Sequence, residues 1–443
     1  MNATEQQSPR SGMGYGLRAL GRIAGSGTLD RIGLRSGLEH AVFKGTRGGL
    51  RSATRASRTF KAAQNLTRPA RPAAGTPSSG LLDLTPDEEQ SMLQEALRAF
   101  AAEQIRPTAS LADSECQVAP ELLEQITELG VGALGIPEEL GGLALEQPAV
   151  TGVLAAEALA HGDMGIAYAA LAPAAVAAAI GRWGSAEQQA TYLPAFTAAA
   201  PPAAALAILE PRALFDPMDL HTGASRDGAD WIIDGAKALV ARPGDCELFI
   251  IAANTQSGPA LFLVESGTAG LSIEAEPAMG LRAAATGRLV AEAVRVPGGA
   301  LIGDGARELY SECVQRARIA WAALATGTAQ AVLDHVIPYV NERSAFGEPI
   351  SNRQAVAFTV SNLAIESEGI RLVTYRAASR ADAGTSFARE ASLARQLCSA
   401  HAASIGSDGV QLLGGHGYIK EHPVERWYRD LAAVGVMEGA LLV

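Results

Sequence analysis

The sequence predicts a mostly α-helical protein with a central β-domain, and three observations carry that reading. Apolar residues recur at helical spacing from Met92 through Leu93, Leu97, Phe100 and Ile105, and again over Glu121–Leu129, Ala149–His161 and Ala186–Phe196. From Ala203 the pattern changes to short β-rich runs divided by turn signals. After Asp304 long helical patterns return and continue to the last residue.

The predicted domains are 1–81, a basic extension and linker; 82–202, an N-terminal helical domain; 203–303, a middle β-domain; and 304–443, a C-terminal helical domain. The first body helix is expected to open with Thr85 as N-cap, Pro86 at the first helical position and Glu88 at the third. The Gly-rich loop 135–142 interrupts the N-terminal helices. In the β-domain the runs Ala205–Leu209, Trp231–Ile233, Leu248–Ala252, Leu261–Val264 and Ala293–Val296 alternate with Asp227-Gly228, Asp234-Gly235 and Pro297-Gly298-Gly299. With no helices between them, these strands predict an antiparallel sheet or small barrel.

Charge and composition narrow the function. The 443 residues carry a formal net charge of −11. Residues 1–71 hold thirteen Lys/Arg against only Glu5, Asp30 and Glu39, a net of +10, so the other 372 residues carry −21. An acidic body is a poor match for nucleic acid, whose binding depends on phosphate neutralisation. The cysteines at 116, 246, 313 and 398 show no CxxC or Cys/His spacing, which fits a reducing compartment and no structural metal. The uncharged runs 164–181 and 193–209 are alanine-dominated and contain prolines, so they read as packed helices and connectors rather than membrane spans.

The basic arm has three readings. Its Arg-rich, acid-poor composition is that of a mitochondrial transit peptide. Ile32, Leu38, Val42 and Phe43 among basic residues also form a stretch suited to an anionic membrane surface. A solvated arm packed on the body or a partner subunit is the plainest reading. The arginine and alanine enrichment resembles a high-GC bacterium, which favours a cytoplasmic, possibly membrane-associated protein over a mitochondrial one.

P-loop, HExxH, GxSxG and kinase signatures are absent, and no GxGxxG follows a strand. The informative strings lie near the C-terminus. They are Glu342-Arg343-Ser344-Ala345-Phe346-Gly347 with Pro349-Ile350 and Gln354; Gln411-Leu-Leu-Gly-Gly-His-Gly-Tyr418; Glu421-His-Pro-Val-Glu-Arg-Trp-Tyr-Arg-Asp430; and Met437-Glu438-Gly439. Across about 82–443 the sequence resembles the acyl-CoA dehydrogenase family. Leu84–Gln90, Ile136–Gly142, Glu210-Pro211, Asp234-Gly235 with Lys237, Met279–Arg282 and Val294–Pro297 add to that resemblance.

The resemblance implies a barrel-like middle domain, a C-terminal four-helix bundle and an FAD-dependent enzyme of fatty-acid β-oxidation. Such an enzyme oxidises an acyl-CoA to the trans-2-enoyl-CoA. A carboxylate removes the α-proton while the β-hydrogen leaves as hydride to the flavin, which requires donors that polarise the thioester. Glu438 matches the base, and Gly439 gives close backbone approach to the thioester. Arg318 matches an arginine near the base and thioester; its plain structural role would be an ion pair with Glu308 or Glu312. Arg343 and Phe346 match contacts to the FAD diphosphate and adenosine, Gln354 a further FAD contact, and Gln411 and Gly415 the loop that reaches a neighbouring subunit's FAD. No metal is implied. Electron-transferring flavoprotein is the implied acceptor, and a homodimer or homotetramer the implied assembly.

The β-domain strings depart from the family pattern. Leu209 stands where the family carries a threonine that bonds the flavin ring edge, and Phe215 replaces a serine. Lys237-Ala238-Leu239-Val240-Ala241 lacks the tryptophan that covers the ring and the hydroxyl beside it. Backbone amides of that strand are expected to serve the ring instead. A closing helix follows the base in the family and is not seen after Glu438; the basic arm is expected to fill that space. The departures keep two alternatives open, a flavin-poor subunit that only binds acyl-CoA or supports a partner dehydrogenase, and an acyl-CoA oxidase that uses oxygen.

Overall fold

The computed structural model describes residues 86–443 except 144, 146 and 199. The basic extension, its linker and Thr85 lie outside the described residues. Six helices open the body: α1 (Glu88–Phe100), α2 (Arg106–Glu115), α3 (Pro120–Glu128), α4 (Pro148–Gly162), α5 (Met164–Trp183) and α6 (Ala186–Phe196). The first begins three residues beyond the expected cap. Asp87 accepts from the Gln90 amide at 2.8 Å and Gln90 returns a bond to the Asp87 amide, so this pair forms the capping box. A carboxylate also suits the positive end of the helix dipole, which explains why the box forms on Asp87.

By length and apolar composition α5 alone among the described helices could cross a membrane, yet most of it is buried inside the fold. Its alanines pack against α4 and α7 (Arg307–Glu342) in one large core.

Seven strands form the middle sheet: β1 (Ala204–Ala207), β2 (Gly223–Asp227), β3 (Asp230–Val240), β4 (Leu248–Thr255), β5 (Gly258–Glu265), β6 (Leu271–Ala275) and β7 (Gly287–Val296). Their order is β1-β4-β2-β3-β7-β6, with β5 paired to β4. Most pairings are antiparallel as expected, but β1 runs parallel to β4, and β2 touches β4 in parallel. The sheet is buried on both faces around β4, by Ile250 and Ala252 on one side and Phe249 and Ile251 on the other.

The C-terminal part comprises α7, a short hairpin of β8 (Ser344–Ala345) and β9 (Glu348–Pro349), α8 (Gln354–Asp382), α9 (Ala388–Leu413) and α10 (Val424–Ala433). The first three of these helices pack side by side, with α10 against α7 and α9. The string on α10 locks the three parts together. Arg426 Nε donates to the buried Asp163 at 2.9 Å, and Arg429 grips Asp113 of α2 with two bonds of 2.8 Å. Asp430 accepts from the amide of Leu281 in the β-domain at 2.6 Å. Burial and the neighbouring Asp163 push the Asp430 carboxyl up to about 8.

Candidate active site

Glu438 follows α10 on a loop that the next residue turns sharply. Gly439 adopts φ +70°, and a Cβ there would lie 2.5 Å from Cβ of Ile208. Only glycine lets this loop press against the end of β1. Trp321 of α7 donates its indole N–H to the Gly439 carbonyl at 2.8 Å. The Trp321 ring in turn packs on Tyr168 with centroids 5.1 Å apart, and the Tyr168 hydroxyl donates to the Leu239 carbonyl at 2.8 Å. The loop is thereby connected through α7 and α5 to β3.

The Glu438 carboxylate is 5% exposed. Arg318 Nε lies 3.2 and 3.0 Å from its two oxygens, and Arg318 Nη2 lies 2.9 Å from Oε1. Arg318 thus pairs with the proposed base rather than with Glu308 or Glu312. Glu312 is taken by Arg182 and Arg316. A second cation, Arg395 of α9, stands 3.3 Å from Glu438 Oε1. The motif reading missed Arg395, because its role arises only where α9 passes the loop after α10.

A cavity of about 470 Å³ lies between loop 135–138, α4, α5, α7 and residues 441–443. Its wall is mainly apolar and small, with Gly152 and Ala156 of α4, Ala174 and Ala178 of α5, and Ala320 of α7. Ala320 lies two residues beyond Arg318, and Leu441 three beyond Glu438.

Four of the candidate cofactor residues meet in a groove of about 820 Å³, namely Arg343, Phe346, Gln411 and Gly415. Phe346 is 95% exposed and held at φ +57°, a conformation that a non-glycine residue rarely adopts. The guanidinium of Arg353 lies 5.4 Å from its ring centroid. Two guanidiniums and a bare aromatic face in one groove suit a diphosphate joined to a purine. Gln354 begins α8 beside the groove, is exposed, and does not line it.

The two altered β-domain strings lie side by side. Ala238 donates its amide to the Leu209 carbonyl at 2.8 Å, and Lys237 Nζ lies 2.9 Å from Glu210 Oε1 and 3.1 Å from the Ile208 carbonyl. Glu210 also accepts from the amides of His221 and Thr222. Against the cost of burial, Lys237 and these amides hold the Glu210 carboxyl down at about 2. Burial outweighs the same ion pair at Lys237, whose pKa falls to about 8. The expectation that strand amides are free for a flavin ring needs correction at Leu239. Its N–H donates to Glu276 Oε2 at 2.6 Å. Leu209 and Leu239 leave apolar walls where the family carries a hydroxyl and an indole. These residues fit FAD best at its adenosine-diphosphate end.

The body is thus helical–sheet–helical, with a buried carboxylate facing two arginines and a separate groove lined by two more. Three family descriptions match it in order: "Acyl-CoA dehydrogenase, N-terminal domain" over 87–200, "Acyl-CoA dehydrogenase, middle domain" over 205–294 and "Acyl-CoA dehydrogenase, C-terminal domain" over 303–441. The chain belongs to the acyl-CoA dehydrogenase family. The mitochondrial short-chain specific acyl-CoA dehydrogenase of Bos taurus is 32% identical over 367 residues, covering 80% of this chain and 87% of that one. A chain from the structure of the electron transferring flavoprotein of Acidaminococcus fermentans, solved toward a mechanism of flavin-based electron bifurcation, superposes with a TM-score of 0.74 at 28% identity. The match covers 81% of this chain and 96% of that one. The glutaryl-CoA dehydrogenase of Mycobacterium smegmatis in complex with FADH2 superposes with a TM-score of 0.72 at 26% identity, over 79% and 90% of the two chains.

Proposed function

We propose that this protein is an acyl-CoA dehydrogenase that uses FAD to convert an acyl-CoA thioester into its trans-2-enoyl-CoA. The observation that carries the reading is the buried carboxylate of Glu438, fixed on the Gly439 turn and bonded by Arg318. Glu438 takes the α-proton, leaving the electron pair to form the Cα–Cβ double bond. FAD, when bound, supplies the acceptor for the β-hydrogen and its electron pair. Arg343, Phe346, Gln411 and Gly415 would hold the adenosine-diphosphate end, and Leu209, whose carbonyl accepts from Ala238, is the proposed apolar wall for the ring. Arg318 and the Gly439 backbone sit where the thioester end of the substrate approaches. The cavity lined by Gly152, Ala156 and Ala320 takes the acyl chain, and the short-chain relative supports a small acyl group.

Electron-transferring flavoprotein is the proposed acceptor. The cofactor whose adenosine-diphosphate end lies along Gln411 and Gly415 in that groove is proposed to be a neighbouring subunit's, which makes the working unit a homodimer or homotetramer. The free cysteines at 116, 246, 313 and 398 support a reducing, cytoplasmic location. Contact of residues 1–81 with an anionic membrane is tested by sedimentation with phosphatidylserine vesicles.

The reading is tested with protein whose flavin content has been quantified, assayed on a panel of acyl-CoA thioesters with an artificial electron acceptor. Enoyl-CoA formation in proportion to bound flavin supports it. Protein that stays colourless with added FAD and yields no enoyl-CoA refutes it.

A further inference from the structure

We infer that Arg395 is a positioning residue for the base, anchoring the Glu438 loop to α9 and keeping its carboxylate aimed. This rests on Glu438 being the base. The geometry is asymmetric. Arg395 donates through Nη1 to the Val434 carbonyl and through Nη2 to the Gly435 carbonyl at 2.9 Å, while its Nε faces Glu438 Oε1 at 3.3 Å. Val434 and Gly435 lie at the C-terminal end of α10, where unpaired carbonyls carry the negative end of the helix dipole. One planar fork thus caps a helix end and reaches the carboxylate three residues further on. Arg318 makes the closer bidentate contact, but it spends its donors on Glu438 and its side chain is 24% exposed against 14% for Arg395.

Two guanidiniums therefore face one carboxylate. Accepting the α-proton would leave both facing a neutral group in a buried site, an arrangement that costs free energy unless one withdraws. Arg395 is fixed by two carbonyls; among the described residues Arg318 donates only to the carboxylate. Arg318 is the partner that moves toward the substrate, and Arg395 the one that keeps the base aimed. Other groups around the carboxylate are few. From α7 comes Tyr310, whose hydroxyl burial holds in its protonated form, and from α9 comes Cys398 behind Arg395, its thiol likewise pushed up to about 12 by burial. Glu210 and Asp216 bear on Tyr310 from the β-domain side. Burial draws Arg395 below the usual arginine value, with Glu438 opposing and Arg318 reinforcing that effect.

The experiment compares Arg395→Lys and Arg395→Met with the wild type in flavin-loaded full-length protein. The readouts are kcat and KM of turnover, taken separately, and the exchange of substrate α-protons with deuterated water by NMR. Exchange reads the base without hydride transfer. For Arg395→Met, kcat and α-exchange fall about tenfold or more with KM changed less than about threefold. Arg395→Lys restores the charge but not the fork, so its kcat stays about tenfold low. If Arg395→Met fails to fold or to bind flavin, Arg395→Lys alone decides through its kcat. Wild-type kcat in Arg395→Lys, or wild-type α-exchange in a folded, flavin-loaded Arg395→Met, overturns the proposal. Glu438→Gln runs in parallel; α-exchange surviving in that variant would show that the base assignment has failed instead.

Discussion

Trp321 donates its indole N–H to the carbonyl oxygen of Gly439 at 2.8 Å, one helical turn from the arginine that grips Glu438. Helix α7 thus holds the base from two sides, through its side chain and through the peptide that follows it. Trp321→Phe keeps an aromatic ring against Tyr168 and deletes the donor together with part of the buried indole. The Gly439 carbonyl then keeps only the Leu441 amide, 2.9 Å away, and the lost bond costs about 0.5–1.5 kcal/mol in urea unfolding. Turnover falls with flavin content unchanged.

Gly439→Ala is expected to be more damaging. The new methyl group meets Ile208, and the φ of +70° remains strained even when that contact is relieved. Combining it with Ile208→Ala should recover part of the lost thermal stability but not all. Full recovery in the double variant would show that crowding alone selects glycine here.

The Lys237–Glu210 pair gives a pH signature. The Glu210 carboxyl sits at about 2 in the fold, against 4.5 ordinarily. Its stabilising contribution is therefore complete above about pH 4.5 and is lost as pH falls toward 2. Lys237→Met should cost up to about 3–5 kcal/mol at pH 7, because Glu210 stays buried with only Arg212, 3.6 Å from its Oε2, and two amides to offset its charge. Adding Glu210→Gln should return much of that loss and flatten the acid dependence in denaturant titrations.

Arg343 is expected to act on cofactor affinity alone. Arg343→Gln removes charge-assisted bonds to a diphosphate, and titration of apoprotein with FAD should show affinity weakened about ten- to a hundredfold. At saturating FAD the rate with acyl-CoA should match the wild type. Phe346→Ala should weaken binding less, through the lost aromatic face.

Much of this was legible in the sequence. The helix–sheet–helix order followed from the switch between apolar residues at helical spacing and short β-rich runs divided by turn signals. The strings around Arg343, Gln411 and Glu438 marked residues that the fold brings into one groove and one buried loop. Strands β2 and β6 escaped notice, since Gly223–Asp227 and Leu271–Ala275 are mostly exposed and lack an apolar alternation. Arg395 could not be read from its neighbours in the chain, as its three acceptors lie 39 to 43 positions away. The helix cap fell on Asp87 rather than Thr85 because two capping residues compete within one turn. The Lys237–Glu210 pair joins residues 27 apart, and strand pairing alone brings them together.

The central claim is that Glu438 is the α-proton base, and Glu438→Gln tests it most directly. Amide for carboxylate preserves size and leaves the flavin groove untouched. The variant should bind FAD to the wild-type ratio while dehydrogenation and substrate α-proton exchange both fall by at least about a hundredfold. A flavin-loaded Glu438→Gln protein that still forms enoyl-CoA at the wild-type rate would contradict the account.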